Sequence, residues 1–382
     1  VISITRLLCN NIGPGDYLRY EKKENPAPVI AWNCTRQCNL NCIHCYASAD
    51  NNKSPNELTT AEGETLVRDL ADFGVPVILF SGGEPLMRKD LFQLIRLAKS
   101  LGIRTALSTN GTVITDDIAK QIQDIGFSEV GISLDGIGAT NDHFRGKKGA
   151  FDAALTGIRK CKALDLRVSL RLTITSHNFE DIPAIMKLVE DEGIERVCFY
   201  HLSYSGRGEI IRKEDVDLTT TRAAVDKICE IALDLYSRGK EKEILTVSNH
   251  VDGVYLYQKL LKENASHAQE VYDLLKINGG NNSGIKIGAI DEDGNVHPDQ
   301  FWRNHTLGNV KERKFADIWT DISNPLMKGL KNRAGLLKGR CSKCKYVELC
   351  NGSLRARAEA VYGDIWAEDP ACYLTDQEIG IA

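Results

Sequence analysis

The chain has 382 residues, 42% of them hydrophobic and 26% charged, and a net charge of −4. Those values are ordinary for a globular protein with one barrel-sized domain and a smaller appended one. They exclude bulk electrostatic binding of nucleic acid, which needs a strongly basic surface. No apolar run reaches the roughly 18–20 residues that span a bilayer. The start, Val1-Ile2-Ser3-Ile4-Thr5-Arg6, lacks the basic-then-apolar plan of a signal peptide. The expectation is a cytoplasmic protein with neither membrane nor nucleic acid as partner.

Residues 1–27 carry Gly13-Pro14-Gly15 and Pro26 and read as an irregular lead-in. A rhythm then begins. Val29 to Trp32 is a short apolar run. Thr60 to Phe73 has helical periodicity, with Thr60 as the expected N-cap. Val75 to Phe80 reads as a strand and Asp90 to Leu101 as a helix. Arg104 to Ser108 (strand), Asp116 to Ile125 (helix), Val130 to Leu134 (strand) and Ala150 to Leu164 (helix) follow. Arg167 to Thr175 (strand), Phe179 to Glu192 (helix) and Arg196 to Leu202 (strand) complete six βα-type repeats. The expected fold class is α/β, a partial (β/α)6 barrel related to the TIM barrel over residues 28–210; a doubly wound sheet is the alternative. Residues 211–310 read as a helical linker, with helices over 216–239 and 251–277, followed by a hairpin. Its strands, Ile285 to Ile290 and Asn295 to His297, meet across Asp293-Gly294. Residues 311–382 form a loop-rich, cysteine-bearing segment expected to need a metal to order it.

The twelve cysteines are unevenly spread. Cys9, Cys161, Cys198 and Cys229 stand alone, whereas two groups cluster, which favours metal over disulfides in a chain without a secretion signal. Cys38, Cys42 and Cys45 form C-x3-C-x2-C in the loop after the first strand of the rhythm. Three thiolates can ligate three irons of a [4Fe–4S] cube and leave the fourth open to the amino and carboxylate groups of S-adenosylmethionine (SAM). Tyr46, the next residue, can cover the adenine. Cys34 reads as a non-ligand. Zinc, completed by His44 or Cys34, is the alternative. Cys341, Cys344, Cys350 and Cys372 supply four thiolates, enough to close a second [4Fe–4S] cluster or a structural zinc site.

The C-x3-C-x2-C-aromatic run resembles the radical SAM superfamily, and the resemblance extends along the barrel. Ser81-Gly82-Gly83-Glu84-Pro85 ends the second strand, where the resemblance implies that Gly82, Gly83 and Glu84 hold the methionine amino group. Ser108-Thr109-Asn110-Gly111 and Ser133-Leu134-Asp135-Gly136 end the next two strands, the face where barrel active sites are built. By resemblance, Ser108, Asn110, Ser133 and Asp135 are ribose or carboxylate contacts and Arg171 pairs the methionine carboxylate. A buried structural role is the competing reading for Asp135 and Arg171. The second cysteine group looks like the auxiliary-cluster extension called a twitch domain.

The tail resembles one branch of that superfamily. His297-Pro298-Asp299-Gln300-Phe301-Trp302, Leu307-Gly308-Asn309-Val310, Leu337 to Cys341 and Trp366 to Asp376, with Phe199 to Leu202 and Ser205 to Gly208, look like the siroheme-processing radical enzymes. The resemblance implies two [4Fe–4S] clusters, SAM, an iron tetrapyrrole substrate and a low-potential donor of ferredoxin or flavodoxin type. It implies removal of the acetate side chains of 12,18-didecarboxysiroheme by a 5′-deoxyadenosyl radical, giving Fe-coproporphyrin III. Removal of propionates from the same substrate, towards haem d1, is the second reading. A peptide-modifying radical enzyme and a non-enzymatic iron–sulfur or zinc protein are the third and fourth. His201, Arg207 and His305 are the candidate catalytic residues: Arg207, with Arg303, to pair substrate carboxylates, and the histidines to ligate the tetrapyrrole iron or donate protons. Phe301 and Trp302 are candidates to face the macrocycle.

Overall fold

The computed structural model describes residues 1–13, 16–21, 27–333 and 335–381. Pro14, Gly15 and Pro26 of the expected lead-in lie outside the described residues. Among the described residues the architecture is a single sheet of 11 strands. They are β1 (Ile2–Ser3), β2 (Val29–Asn33), β3 (Val77–Ser81), β4 (Arg104–Thr109), β5 (Glu129–Ser133), β6 (Val168–Ile174), β7 (Arg196–His201), β8 (Glu243–Val247), β9 (Ile287–Ile290), β10 (Asn295–His297) and β11 (Gly308–Asn309). The sheet order is β1-β8-β7-β6-β5-β4-β3-β2-β9-β10-β11. All neighbours from β8 through β7, β6, β5, β4, β3 and β2 to β9 pair in parallel.

Alternation along these strands decides what each face does. Ile78, Phe80, Val130 and Ile132 are buried under the crossover helices. The intervening Leu79, Ser81, Ser133, Arg171, Thr173 and Tyr200 line a cleft on the other face. Several helices start where the sequence supplies a cap. Thr115 accepts from Ile118 N at 3.2 Å and opens Asp116–Ile125; Asp217 accepts from Thr220 N at 2.7 Å and opens Leu218–Ser237.

Five expectations need correction. The helix Thr60–Asp72 is capped by Thr59, not Thr60, because only Thr59 stands three residues before Glu62 and completes a capping box with it. The first eight residues do not belong to an irregular lead-in. Ile2 and Ser3 pair antiparallel with Thr246 and Leu245, and the helix Ile4–Leu8 buries Ile4, Leu7 and Leu8. These pieces are too short to show a period. The parallel strands do not end with the six repeats closed by Arg196 to Leu202, since β8 adds a further parallel strand beyond β7. Residues 251–277 form two helices, Val251–Lys262 and Ala268–Asn278, separated at Asn264, whose φ is +53°. Finally, the hairpin of β9 and β10 is not a separate linker unit: Val29 pairs with Ile287 and Trp32 with Ile290, so the sheet runs across the boundary expected at 210/211. Among the described residues no helix is long and apolar enough to cross a membrane.

Candidate active site

The loop from Cys34 to Asp50 leaves β2 and crosses the carboxyl ends of the parallel strands. Its shape is held by backbone contacts from three sides. Cys38 N donates to Asp50 O at 2.6 Å, Gly83 N to Thr35 O at 2.7 Å and Glu84 N to Gln37 O at 2.8 Å. Ile43 N donates to Phe144 O at 3.0 Å and Arg207 N to Cys45 O at 3.0 Å. Two glycines allow this approach. A Cβ on Gly83 would lie 2.4 Å from both Arg36 O and Gln37 O. One on Gly206, at φ +56°, would lie 2.4 Å from Tyr46 O. Gly83 therefore brings the β3 turn against the cysteine loop, a role the sequence motif did not specify.

Cys38, Cys42 and Cys45 line one cleft. Gly82, Gly83, Ser108, Asn110, Ser133, Asp135, Arg171, Tyr46, His201 and Arg207 share its lining, so the fold collects nearly the whole expected set. Cys34 is fully buried outside the cleft, and its thiol donates to Ser81 O at 3.2 Å. Burial pushes the Cys38 thiol up to about 12. A thiolate there needs a cation to compensate it, and iron supplies one. The buried Nε of Arg145 and Nδ1 of His44 have no hydrogen-bond partner among the described residues, as donors kept for a bound group would not. The chemistry of the donor set thus fits a cluster carried by three thiolates.

Several residues have partners that sequence did not anticipate. Glu84, expected to hold a methionine amino group, is fully buried and does not line the cleft. Its carboxylate accepts from Thr109 Oγ1 and Asn110 N, each at 2.7 Å, and from Leu86 N at 3.1 Å. Burial pushes it up to about 7 against those donors. Asn110 donates to Asn39 Oδ1 at 2.8 Å and lies 3.9 Å from Cys38 Sγ, so it steadies the cysteine loop. Asp135 forms an ion pair with Arg145, lies 3.2 Å from His44 Nε2 and accepts from Thr173 N at 2.6 Å. Burial favours the neutral acid, but Arg145 and then His44 outweigh it and hold Asp135 down at about 2. Arg145 Nη1 in turn lies 3.7 Å from Cys42 Sγ. Sequence reasoning missed Arg145; its place on an amphipathic helix end carries no signal of this contact.

The candidate catalytic residues are also engaged. Arg207 donates through Nε to Cys42 O at 2.7 Å and through Nη1 to Ala49 O at 2.9 Å, which commits its guanidinium to the cysteine loop. His201 Nε2 lies 2.9 Å from Asp252 Oδ2, and Tyr373, beside Cys372, donates to Asp252 Oδ1 at 2.8 Å. This buried chain joins the tail to the cleft. His305 Nε2 lies 2.8 Å from Glu359 Oε1. Arg303 pairs with Glu292 at 2.8 Å. Arg171 lines the cleft and lies 3.6 Å from Glu129. Tyr46 donates to Asn33 Oδ1 at 3.0 Å and meets the Phe301 ring edge-on at 5.3 Å. Tyr46 and Phe301 form a shared wall with a second cleft, lined also by Arg36, Trp302, Arg303 and Glu359.

Cys341, Cys344, Cys350 and Cys372 converge on one small cavity lined also by Arg340 and Asp369. Arg357, fully buried, fixes this segment to the sheet. It donates to Asp369 at 2.8 and 2.9 Å, to Leu202 O at 2.8 Å and to Ser248 O at 2.8 Å.

Residues 32–189 match the family model described as the radical SAM superfamily. The Fe-coproporphyrin III synthase of Methanosarcina barkeri is 54% identical, over 100% of this chain and 99% of that protein. The pre-heme d1 synthase of Dinoroseobacter shibae is 45% identical, over 94% of this chain and 89% of that protein. Among solved structures, Streptococcus suis SuiB bound to its precursor peptide SuiA superposes with a TM-score of 0.73 at 20% identity. That superposition covers 91% of this chain and 76% of SuiB and speaks for the fold.

Proposed function

From the premise that this chain belongs to the radical SAM superfamily, we propose that it removes the acetate side chains of 12,18-didecarboxysiroheme to give Fe-coproporphyrin III. The observation that carries this reading is the arrangement of two clefts on either side of Tyr46 and Phe301. One is lined by the three cysteines and the strand-end motifs. The other is lined by Phe301, Arg36 and Arg303 together with Glu209, Glu292 and Glu359, over the fully buried Trp302, and would take the flat, anionic macrocycle. The 54% identity to a protein named Fe-coproporphyrin III synthase points to the same substrate class.

Cys38, Cys42 and Cys45 would hold a [4Fe–4S] cluster, and Gly82, Ser108, Ser133 and Arg171 lie where SAM would contact the cleft wall. When bound, the cluster and SAM supply a 5′-deoxyadenosyl radical after one electron is delivered by a low-potential donor. The protein's part is positional. Tyr46 and Phe301 line both clefts, so a side chain of a macrocycle held in one would lie beside the radical supplied in the other. Arg36, paired with Asp50 at 3.3 Å, and Arg303, paired with Glu292 but with Nη1 lacking a hydrogen-bond partner among the described residues, would offer charge to the remaining carboxylates. Cys341, Cys344, Cys350 and Cys372 would carry the second [4Fe–4S] cluster, whose closed set of four thiolates suits electron exchange rather than SAM binding.

Removal of propionates is the second reading, favoured by the 45% identity to a pre-heme d1 synthase. Incubation of the reduced, reconstituted protein with SAM and 12,18-didecarboxysiroheme, followed by mass analysis, separates the two. Loss of two acetate groups is expected. Loss of propionates with acetates retained would replace the first reading by the second, and an unchanged tetrapyrrole beside cleaved SAM would overturn both.

A further inference from the structure

Asp135 and Arg145 form a buried ion pair at the edge of the cysteine loop. The two residues are 1% and 7% exposed. Arg145 is the last residue of the helix Ala139–Arg145 and grips the loop in two ways. Its carbonyl accepts from Asn41 N at 3.3 Å. Its guanidinium divides its donors: Nη2 pairs with Asp135 Oδ2, and Nη1 lies 3.7 Å from Cys42 Sγ. Asp135 is fixed independently by Thr173 N on Oδ1 and by Asn141, whose Oδ1 accepts from Asp135 N at 2.9 Å. The cation therefore stands between the carboxylate and the sulfur. The third charged or titratable group of this cluster, His44, sits 3.2 Å from Asp135.

We infer that this pair sets the reduction potential of the cluster carried by Cys38, Cys42 and Cys45, Arg145 raising it and Asp135 opposing it. The inference rests on the proposed cluster, and goes beyond it by naming the residues that tune it. Reduction adds one electron, from a low-potential one-electron donor, to the cluster and its thiolates, with no bond made or broken in that step. A cation beside a ligating sulfur favours the added negative charge, and hydrogen bonds to the sulfurs and local net charge are the protein's means of moving such potentials. Burial matters because a charge out of water is weakly screened. Arg145 contacts the sulfur directly, whereas Asp135 is held on the other arm of its guanidinium, so the pair's net effect is to ease reduction.

A purely structural ion pair makes the opposite prediction, since breaking it from either side would loosen the same loop in the same way. The test uses the reconstituted full-length protein without SAM, poised with dithionite and followed by electron paramagnetic resonance at fixed potentials. The second cluster is an internal reference. Arg145→Met should move the midpoint of the three-cysteine cluster to more negative values and Asp135→Asn to more positive ones. Each shift should reach at least tenfold in the reduction equilibrium, about 59 mV for one electron. Arg145→Lys should stay near wild type, and the reference cluster should not move. Shifts of the same sign in the two variants, or none, would overturn the inference. Should Arg145→Met fail to hold iron, Asp135→Asn alone decides it: no shift, or a negative one, overturns it. A wild-type protein with no cluster on the three cysteines would instead remove the proposed function on which the inference stands.

Discussion

Arg207 offers the clearest contest between a sequence expectation and a geometric one. As a substrate ligand it would pair a tetrapyrrole carboxylate; in the structure it bolts the cysteine loop to the end of β7. Its Nε and Nη1 donate to Cys42 O and Ala49 O at 2.7 and 2.9 Å. A hydrogen bond from a charged donor contributes about 1.5–3 kcal/mol. Arg207 is half-buried, so the low end applies, and the two bonds together hold the loop closed by about 3 kcal/mol. Arg207→Ala should therefore raise the loop's opening equilibrium about a hundredfold. Hydrogen exchange of peptides spanning residues 38–50 measures this directly, and the rate of iron loss to a chelator should rise in parallel. Global stability should fall less, because the rest of the sheet does not depend on this contact. Unchanged exchange in those peptides, combined with a weakened dissociation constant for the tetrapyrrole in a Soret titration, would refute the bolt and restore the ligand.

Other expectations follow from single contacts. Cys34→Ala should retain about four irons at the first site and still cleave SAM, whereas Ala at Cys38, Cys42 or Cys45 should abolish cleavage; an inactive Cys34 variant would show that the ligand set is wrong. Gly83→Ala puts a Cβ 2.4 Å from two carbonyl oxygens and should cost about 1–3 kcal/mol and lower the iron content at that site, read by denaturant unfolding and metal analysis. The double variant of Cys341 and Cys344 should drop from about eight irons to about four while still cleaving SAM; zinc rather than iron in the wild-type tail site would contradict a second cluster. Glu378 is held down to about 2, first by its hydrogen bonds to Arg222. Its folded value is depressed, so its contribution is full above about 4.5 and is lost as pH falls from there towards about 2. Discounted for solvent screening, it is about 1–2 kcal/mol. Urea unfolding of Glu378→Gln against wild type should show a constant deficit from pH 8 to 5 that shrinks below about 4.5.

The alternating strands, their helices and the C-x3-C-x2-C run were legible because each depends on residues close in sequence. Leu79 and Ser81 reach the cleft, and Ile78 and Phe80 the helices, by the strand's two-residue period alone. The branch was readable in the tail for a different reason, its resemblance to known enzymes. β8 was missed because five residues between two helices carry too little pattern, and its parallel pairing with β7 exists only once both are placed.

Length, spacing and period by themselves determined the parallel α/β core, the non-ligand expectation for Cys34 and the placing of Cys38, Cys42 and Cys45 at strand ends. Only the tertiary structure decided what the charged residues do. Arg145 meets Cys42 across 103 residues of chain, and Arg207 meets it across 165. Arg207 donates to two backbone carbonyls, Glu84 turns inward to Thr109 and Asn110, and Asp135 is bound by Arg145. A side chain's periodic position fixes the face it occupies, but a buried charge takes whichever partner compensates its lost hydration. That partner is chosen by the packing of distant elements, which no local pattern records.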